Sequence, residues 1–274
     1  MASESVVSPL KAPQGFSLVE TARSHGWADV IPFRWDPVAC RLHRRDLEGA
    51  VTLRQEGPGR LLVEHRPADS GACGRARVLL NLDQSLADFH ALCREHPRLG
   101  WVPERGAGWF LRGRDAWEDA SKAVCFTNIA WRQAASCMNR VADAGIEGCW
   151  PAPGELLKRG ESWLREHARV GYRAPYILAL ARGFEEGRFS PEAATAAAFQ
   201  AMPGIGPSTA KYLAGMRGSW EQISYDSSTS WLLRSEYGIA EPCLEDADRI
   251  FSPFGDFRGL ACLLDLHESV RRCG

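Results

Sequence analysis

Between residues 115 and 271 apolar residues recur every three or four positions, the spacing of amphipathic helices, and Gly, Pro or Asx residues punctuate the run. These breaks predict helices centred on 115–125, 131–143, 154–168, 174–186, 191–202, 207–217, 228–237, 244–251 and 257–271. Upstream the pattern changes. From Arg34 to Leu82 the apolar runs are short (Ala50–Arg54, Leu61–Glu64, Arg77–Leu80), and turn formers such as Gly57-Pro58-Gly59 and Asp69-Ser70-Gly71 separate them. That arrangement predicts a small antiparallel sheet. Asp83–His96 returns to helical spacing on Leu86, Phe89, Leu92 and Cys93, and Gly100–Gly113 is aromatic and loop-rich. The expectation is an α+β chain: a flexible tail over 1–14, an N-terminal domain with the sheet over 15–102, and an all-α region over 103–274.

Composition narrows the class only slightly. An apolar content of 45% is ample for a packed core, and no apolar run reaches membrane-spanning length. The start Met1-Ala-Ser-Glu-Ser5 lacks the charged and apolar regions of a secretory signal, so a soluble protein of the cytoplasm or nucleoid, or of a nucleus, is expected. Nine cysteines without a Cys-x-x-Cys, and scattered histidines, predict neither zinc nor an iron–sulfur cluster. The net charge of −1 does not announce a nucleic-acid binder, but its distribution is uneven. Ser121–Ala142 holds Lys122, Arg132 and Arg140 and no acid; Met202–Trp220 holds Lys211 and Arg217 and no acid. Two locally basic stretches on a neutral chain fit a modest DNA footprint.

The most informative stretch is Met202-Pro-Gly-Ile-Gly-Pro-Ser-Thr-Ala-Lys211. Ser190 is the expected N-cap of a helix with Pro191 in its first turn; Pro203-Gly204 stops that helix and Gly206-Pro207 starts the next. The turn leaves N–H groups bare at the start of the second helix, where the helix dipole favours a phosphate. Gly204 and Gly206 let a sugar-phosphate strand approach, while Ile205 is expected to point into the core. Asp226 precedes the apolar run Trp231, Leu232, Leu233 and so sits at a helix start.

Pro203-Gly204-Ile205-Gly206, a helix, a loop and then Asp226, in that order, resemble the helix-hairpin-helix (HhH-GPD) DNA glycosylases, on the branch that excises alkylated purines and oxidised guanine. Gly171-Tyr-Arg-Ala-Pro-Tyr-Ile177 resembles a helix start of that family, and Phe254–Ala261 its C-terminal helix entry, so the resemblance spans roughly residues 105 to 270. It implies a core of two helical lobes, and a partner that is double-stranded DNA with a damaged base, bound by a monomer. It makes Asp226 the catalytic carboxylate. The hairpin residues Gly204, Ile205 and Gly206, with Ser208, Thr209 and Lys211, would hold the strand, and a monovalent cation on the hairpin carbonyls is compatible with it. The loop Phe126-Thr-Asn-Ile-Ala-Trp131 corresponds to the connection that plugs the gap left by a flipped nucleotide. Asn128 is the expected plug, Ile129 the second choice, with Arg132 beside it on the DNA.

The chemistry expected is hydrolysis of an N-glycosidic bond. A base cannot be reached inside a duplex and must be flipped out. Breaking its bond builds positive charge on the sugar, which a carboxylate stabilises. Relatives that also nick the strand place a lysine two residues after the last hairpin glycine; here that residue is Ser208, and Lys211, three further on, is expected on another face. The expectation is a monofunctional enzyme. Alkylated purines are the favoured substrate, because a cationic base suits an aromatic pocket, with Trp109, Phe126, Trp131, Tyr225 and Trp231 as candidate liners. A glycosylase for oxidised or deaminated bases and a non-catalytic lesion-binding protein are the alternatives. Among the alkylpurine relatives with this hairpin a stacking tryptophan stands where this chain has Ser208.

Overall fold

The computed structural model describes residues 5–66 and 69–273. In chain order it forms β1 (Val6–Lys11), α1 (Leu18–Ala22), β2 (Phe33–Asp36), β3 (Arg41–Asp46), β4 (Gly49–Gly57), β5 (Arg60–Arg66), α2 (Ala72–Leu79), α3 (Ala87–Arg94) and α4 (Trp101–Arg105). Then follow α5 (Ala116–Phe126), α6 (Trp131–Ala142), α7 (Pro153–Glu166), α8 (Ala174–Glu185), α9 (Ala196–Gln200), α10 (Pro207–Met216), α11 (Ser227–Tyr237), α12 (Leu244–Phe251) and α13 (Arg258–Cys273). The class is α+β as expected: one antiparallel sheet of order β1-β5-β4-β3-β2, then helices.

The sheet is larger than its hydrophobic signal. Val6–Lys11, expected to be tail, pairs along β5 from Val6–His65 to Lys11–Arg60, so order begins before Phe16; residues 1–4 lie outside the described residues. Strand β3 reads Arg-Leu-His-Arg-Arg-Asp, yet its inward positions are Leu42, Arg44 and Asp46, all buried. Charged side chains fill two of those three inward positions because partners from a helix meet them there. Arg77–Leu80, expected as a strand, instead forms the end of α2, with Leu80 as its C-cap. The helix's buried residues Ala72, Ala76 and Leu79 are spaced four and three apart, a helical period that a four-residue window cannot reveal.

A buried ionic cluster joins the sheet to the helices. Arg44 donates from Nη1 and Nη2 to the two Glu118 oxygens (3.0 and 2.8 Å) and from Nε to Asp46 (2.9 Å). Lys122 Nζ donates to Glu118 Oε1 at 2.7 Å and lies 5.0 Å from the Trp27 and Trp150 ring centres. Burial alone would push the Glu118 carboxyl up, but the two cations outweigh it and hold it well below its usual range. Asp115 caps α5 by accepting from Glu118 N–H (2.9 Å), which fixes the helix that carries both Glu118 and Lys122.

The helices fall into two lobes. One is built on α5–α10. In the other, α11–α13 pack with α3, whose Phe89 meets Phe254 and Phe257 at 5.9 and 5.4 Å. Arg98 binds Asp265 (2.9 Å) and Glu236 (2.7 Å), tying the loop after α3 to both α13 and α11. Chain segments before the sequence boundary at 102 therefore belong to the C-terminal lobe. Helix α9 is shorter than expected: Thr195, not Ser190, caps it by accepting from Ala198 N–H (3.2 Å), and Ser190 instead binds within its own turn to Glu192.

Candidate active site

The hairpin forms as its residues require. Gly204 takes φ +81°, and a side chain there would meet Tyr176 Cβ at 2.9 Å, so two independent constraints demand glycine. Ile205 is buried, as expected. Gly206 is different: its φ is −81°, and no protein atom lies within 4 Å of where a side chain would begin. The space in front of Gly206 is open. Gly206→Ala is therefore expected to leave the melting temperature unchanged and to weaken DNA binding in a filter or anisotropy titration, since the added methyl projects into the cleft.

Asp226 is the N-cap of α11. One of its oxygens, Oδ1, accepts from Ser228 N–H (2.8 Å) and Thr229 N–H (3.1 Å), while Oδ2 has no hydrogen-bond partner among the described residues. Cap and free acceptor are thus two ends of one exposed carboxylate. Hydrogen bonds anchor its loop to the hairpin helix. Ser224 Oγ donates to Ser208 O (3.0 Å), so the Ser208 hydroxyl, 2.9 Å from Ser224 Oγ, is the donor in that contact. Thr229 Oγ1 in turn donates to Ser224 O (3.0 Å).

Two hollows meet at Asp226. The first is an open cleft of about 840 Å³, bordered by the hairpin Gly204–Gly206, Asn128 and Ile129 of the loop before α6, Tyr172, and Asp226. Arg173, buried at the start of α8, grips this loop by donating from Nε to Thr127 O (3.1 Å). The second is a narrower cavity of about 230 Å³ behind Asp226. Its walls include the rings of Trp27, Phe126, Trp131, Tyr212 and Trp220. Trp131 lines one side and packs against Gly26, where a side chain would begin 2.0 Å from its ring.

Two nitrogen-bearing rings of the lining, His25 and Trp220, are unusually placed. His25 meets Leu111 O through Nε2 (2.6 Å); a carbonyl only accepts, so Nε2 carries the proton and Nδ1 is a bare acceptor. His25 Nδ1 and Trp220 Nε1 are buried without partners among the described residues, one acceptor and one donor. Burial, only partly offset by the Leu111 bond, lowers the His25 pKa to about 3, and burial lowers that of His267 to about 4. Both rings are neutral when folded but take up a proton below about 6.5 when unfolded, so the unfolded state binds more protons in acid. The melting temperature is accordingly expected to fall as pH drops from 6.5 towards 4, and His25→Phe to flatten that slope in calorimetry.

The residues expected at the site divide into three groups. Asp226, Asn128 and the hairpin residues Gly204, Ile205 and Gly206 meet at the open cleft; Ser208 and Thr209 border both hollows; and Phe126 and Trp131 wall the cavity. Lys211, expected on another face from Ser208, lines the same cavity, because residues three apart share a helix face. The others are elsewhere. Trp109 is core, packed edge-on to Phe16 (5.5 Å) with its indole N–H on Gln84 O (3.2 Å). Tyr225 turns its hydroxyl away to Pro242 O at 2.5 Å. Trp231 borders a shallow surface hollow with Leu266 and Val270. Arg132 lies beyond the loop, in a separate depression. Sequence reasoning missed His25, Gly26, Trp27, Tyr212 and Trp220, the first three of which lie far from any motif. Tyr212 is one residue past Lys211 and Trp220 six before Asp226, both in the stretch already singled out.

No protein-family model and no curated protein matches the chain. Solved structures do. MBOgg1 in complex with a low-affinity DNA ligand is 16% identical, with TM-score 0.80 over 99% of this chain and 100% of that one. The 3-methyladenine DNA glycosylase of Archaeoglobus fulgidus is 16% identical, with TM-score 0.77 over 96% and 98%. The Clostridium acetobutylicum 8-oxoguanine glycosylase/lyase, in complex with double-stranded DNA containing cytosine opposite 8-oxoguanine, is 14% identical, with TM-score 0.76 over the whole of both chains. At these identities it is the fold that is shared, from sheet to last helix: the fold of the helix-hairpin-helix DNA glycosylases.

Proposed function

We infer, from that shared fold and the placement of Asp226, that the chain is a DNA glycosylase. It hydrolyses the N-glycosidic bond of a damaged purine flipped out of duplex DNA, without a strand-nicking step. The observation that carries the reading is the position of the carboxylate, at the junction of the hairpin cleft and the aromatic cavity with one oxygen unpartnered. The hairpin N–H groups hold the lesion strand. The loop at Asn128 fills the vacated stack, and the base enters the cavity. As the bond from C1′ to the base breaks, Asp226 stabilises the positive sugar and takes a proton from the attacking water. Ser208, at the position of the lyases' lysine, has its hydroxyl engaged with Ser224.

Among damaged purines, the five aromatic rings of the cavity favour a cationic alkylated base. A neutral oxidised or deaminated purine is the second reading. Lys211 in the same lining favours it, since an ammonium group repels a cationic base. Duplexes carrying one alkylated, oxidised or deaminated base, incubated with the protein and then heated in alkali, test all of this. Breaks at one lesion identify the base. Breaks before alkali, or covalent trapping by borohydride that Lys211→Ala abolishes, would overturn the hydrolytic assignment, and a mobility shift without breaks would reduce the chain to a lesion binder.

A further inference from the structure

Beyond the plug loop the surface carries a second feature. Arg132 and Arg140 of α6 and Arg169 of the α7–α8 connection converge on a depression of about 510 Å³. Its remaining lining is uncharged: Ala130, Gln133, Ser136 and Cys137. None of the three arginines has an acidic or hydrogen-bonding partner among the described residues. The nearest acid along the helix, Asp143, is engaged with His167 Nε2 at 2.7 Å. Arg169 is held in a left-handed conformation (φ +57°), and its carbonyl accepts from Cys137 Sγ (3.4 Å), which pins the arginine's turn onto α6. Three cations gathered with no counter-charge repel one another, an arrangement that an anion from outside relieves.

The depression adjoins the cleft. Asn128 and Ile129 border the hairpin side and Ala130 the arginine side of the same short loop. A plug entering a base stack between two strands has one backbone on each side. With the hairpin holding the lesion strand on one side, we propose that Arg132, Arg140 and Arg169 bind the sugar-phosphate backbone of the opposite strand. The assignment rests on the glycosylase reading for its orientation, but not for the existence of an anion site. Guanidinium groups suit phosphate oxygens, and such contacts position a duplex without reading its sequence.

Salt dependence of binding is the test. The intact protein and an Arg140→Ala/Arg169→Ala variant are titrated against undamaged duplex and against single-stranded DNA of the lesion strand over a range of salt, with melting temperatures confirming that both are folded. Each phosphate contact contributes about 0.9 to the slope of log K against log salt on duplex. The expected result is a slope shallower by about 2 on duplex, no change on the single strand, and restoration of the duplex slope by Arg140→Lys/Arg169→Lys. An equal loss on both substrates would assign the arginines to the lesion strand and overturn the proposal; an unchanged duplex slope would remove the site. Neither readout involves base release, so failure of the glycosylase reading is seen separately in the lesion assay.

Discussion

Asp226→Asn is expected to lower single-turnover base release by at least roughly a thousandfold, with melting temperature and DNA affinity nearly unchanged. The double role of the side chain is what makes this substitution decisive. Oδ1 caps α11 through two N–H groups, and asparagine caps as well as aspartate does, so the helix start survives. What disappears is the negative charge of a carboxylate that borders both cleft and cavity. If Asp226 served only as a cap, the asparagine variant would be close to fully active. Quenched-flow or gel assays with enzyme in excess, beside calorimetry and anisotropy titrations, separate the two outcomes.

The largest effect on stability is expected at Glu118. Glu118→Gln preserves shape but removes the carboxylate that pairs with both Arg44 and Lys122, leaving the two cations buried. Removing one partner from a buried charge network costs about 3–5 kcal/mol, and in a chain of this size that is a fall in melting temperature of roughly 6–20 °C. The acid side carries the same signature. A carboxyl held below its usual range stabilises the fold above that range and ceases to do so as pH falls through its folded value. The intact protein should lose stability in acid more steeply than the glutamine variant. A variant as stable as the parent would show that the cluster contributes nothing to joining the sheet to α5.

Whether a feature was legible in the sequence depended on how local its cause was. Pro203–Gly206 and Asp226 could be read because a turn and a helix cap are each decided within a few residues. The helices from α5 to α13 were legible from periodicity, apart from the start of α9. Strand β3 was not, because Arg44 and Asp46 are inward-facing only by virtue of Glu118, more than seventy residues away. Cavity walls suffered most. Trp109 and Trp131 look alike in sequence, and nothing near either says that one is sealed in the core while the other packs against Gly26. The lysine question turned on a miscounted face: residues 208 and 211 stand side by side on α10, so the missing nucleophile at Ser208 does not remove every amine from the lining.

The chamber behind Asp226 is a composite. Floor and doorway come from the helices after residue 115, but His25, Gly26 and Trp27 supply one whole side, and Trp131 has its seat only because Gly26 is there. Without that short turn the chamber would be a roofless room, open on the side where His25, Gly26 and Trp27 now stand. The sheet end of this chain is in that sense part of the lock rather than its mounting plate.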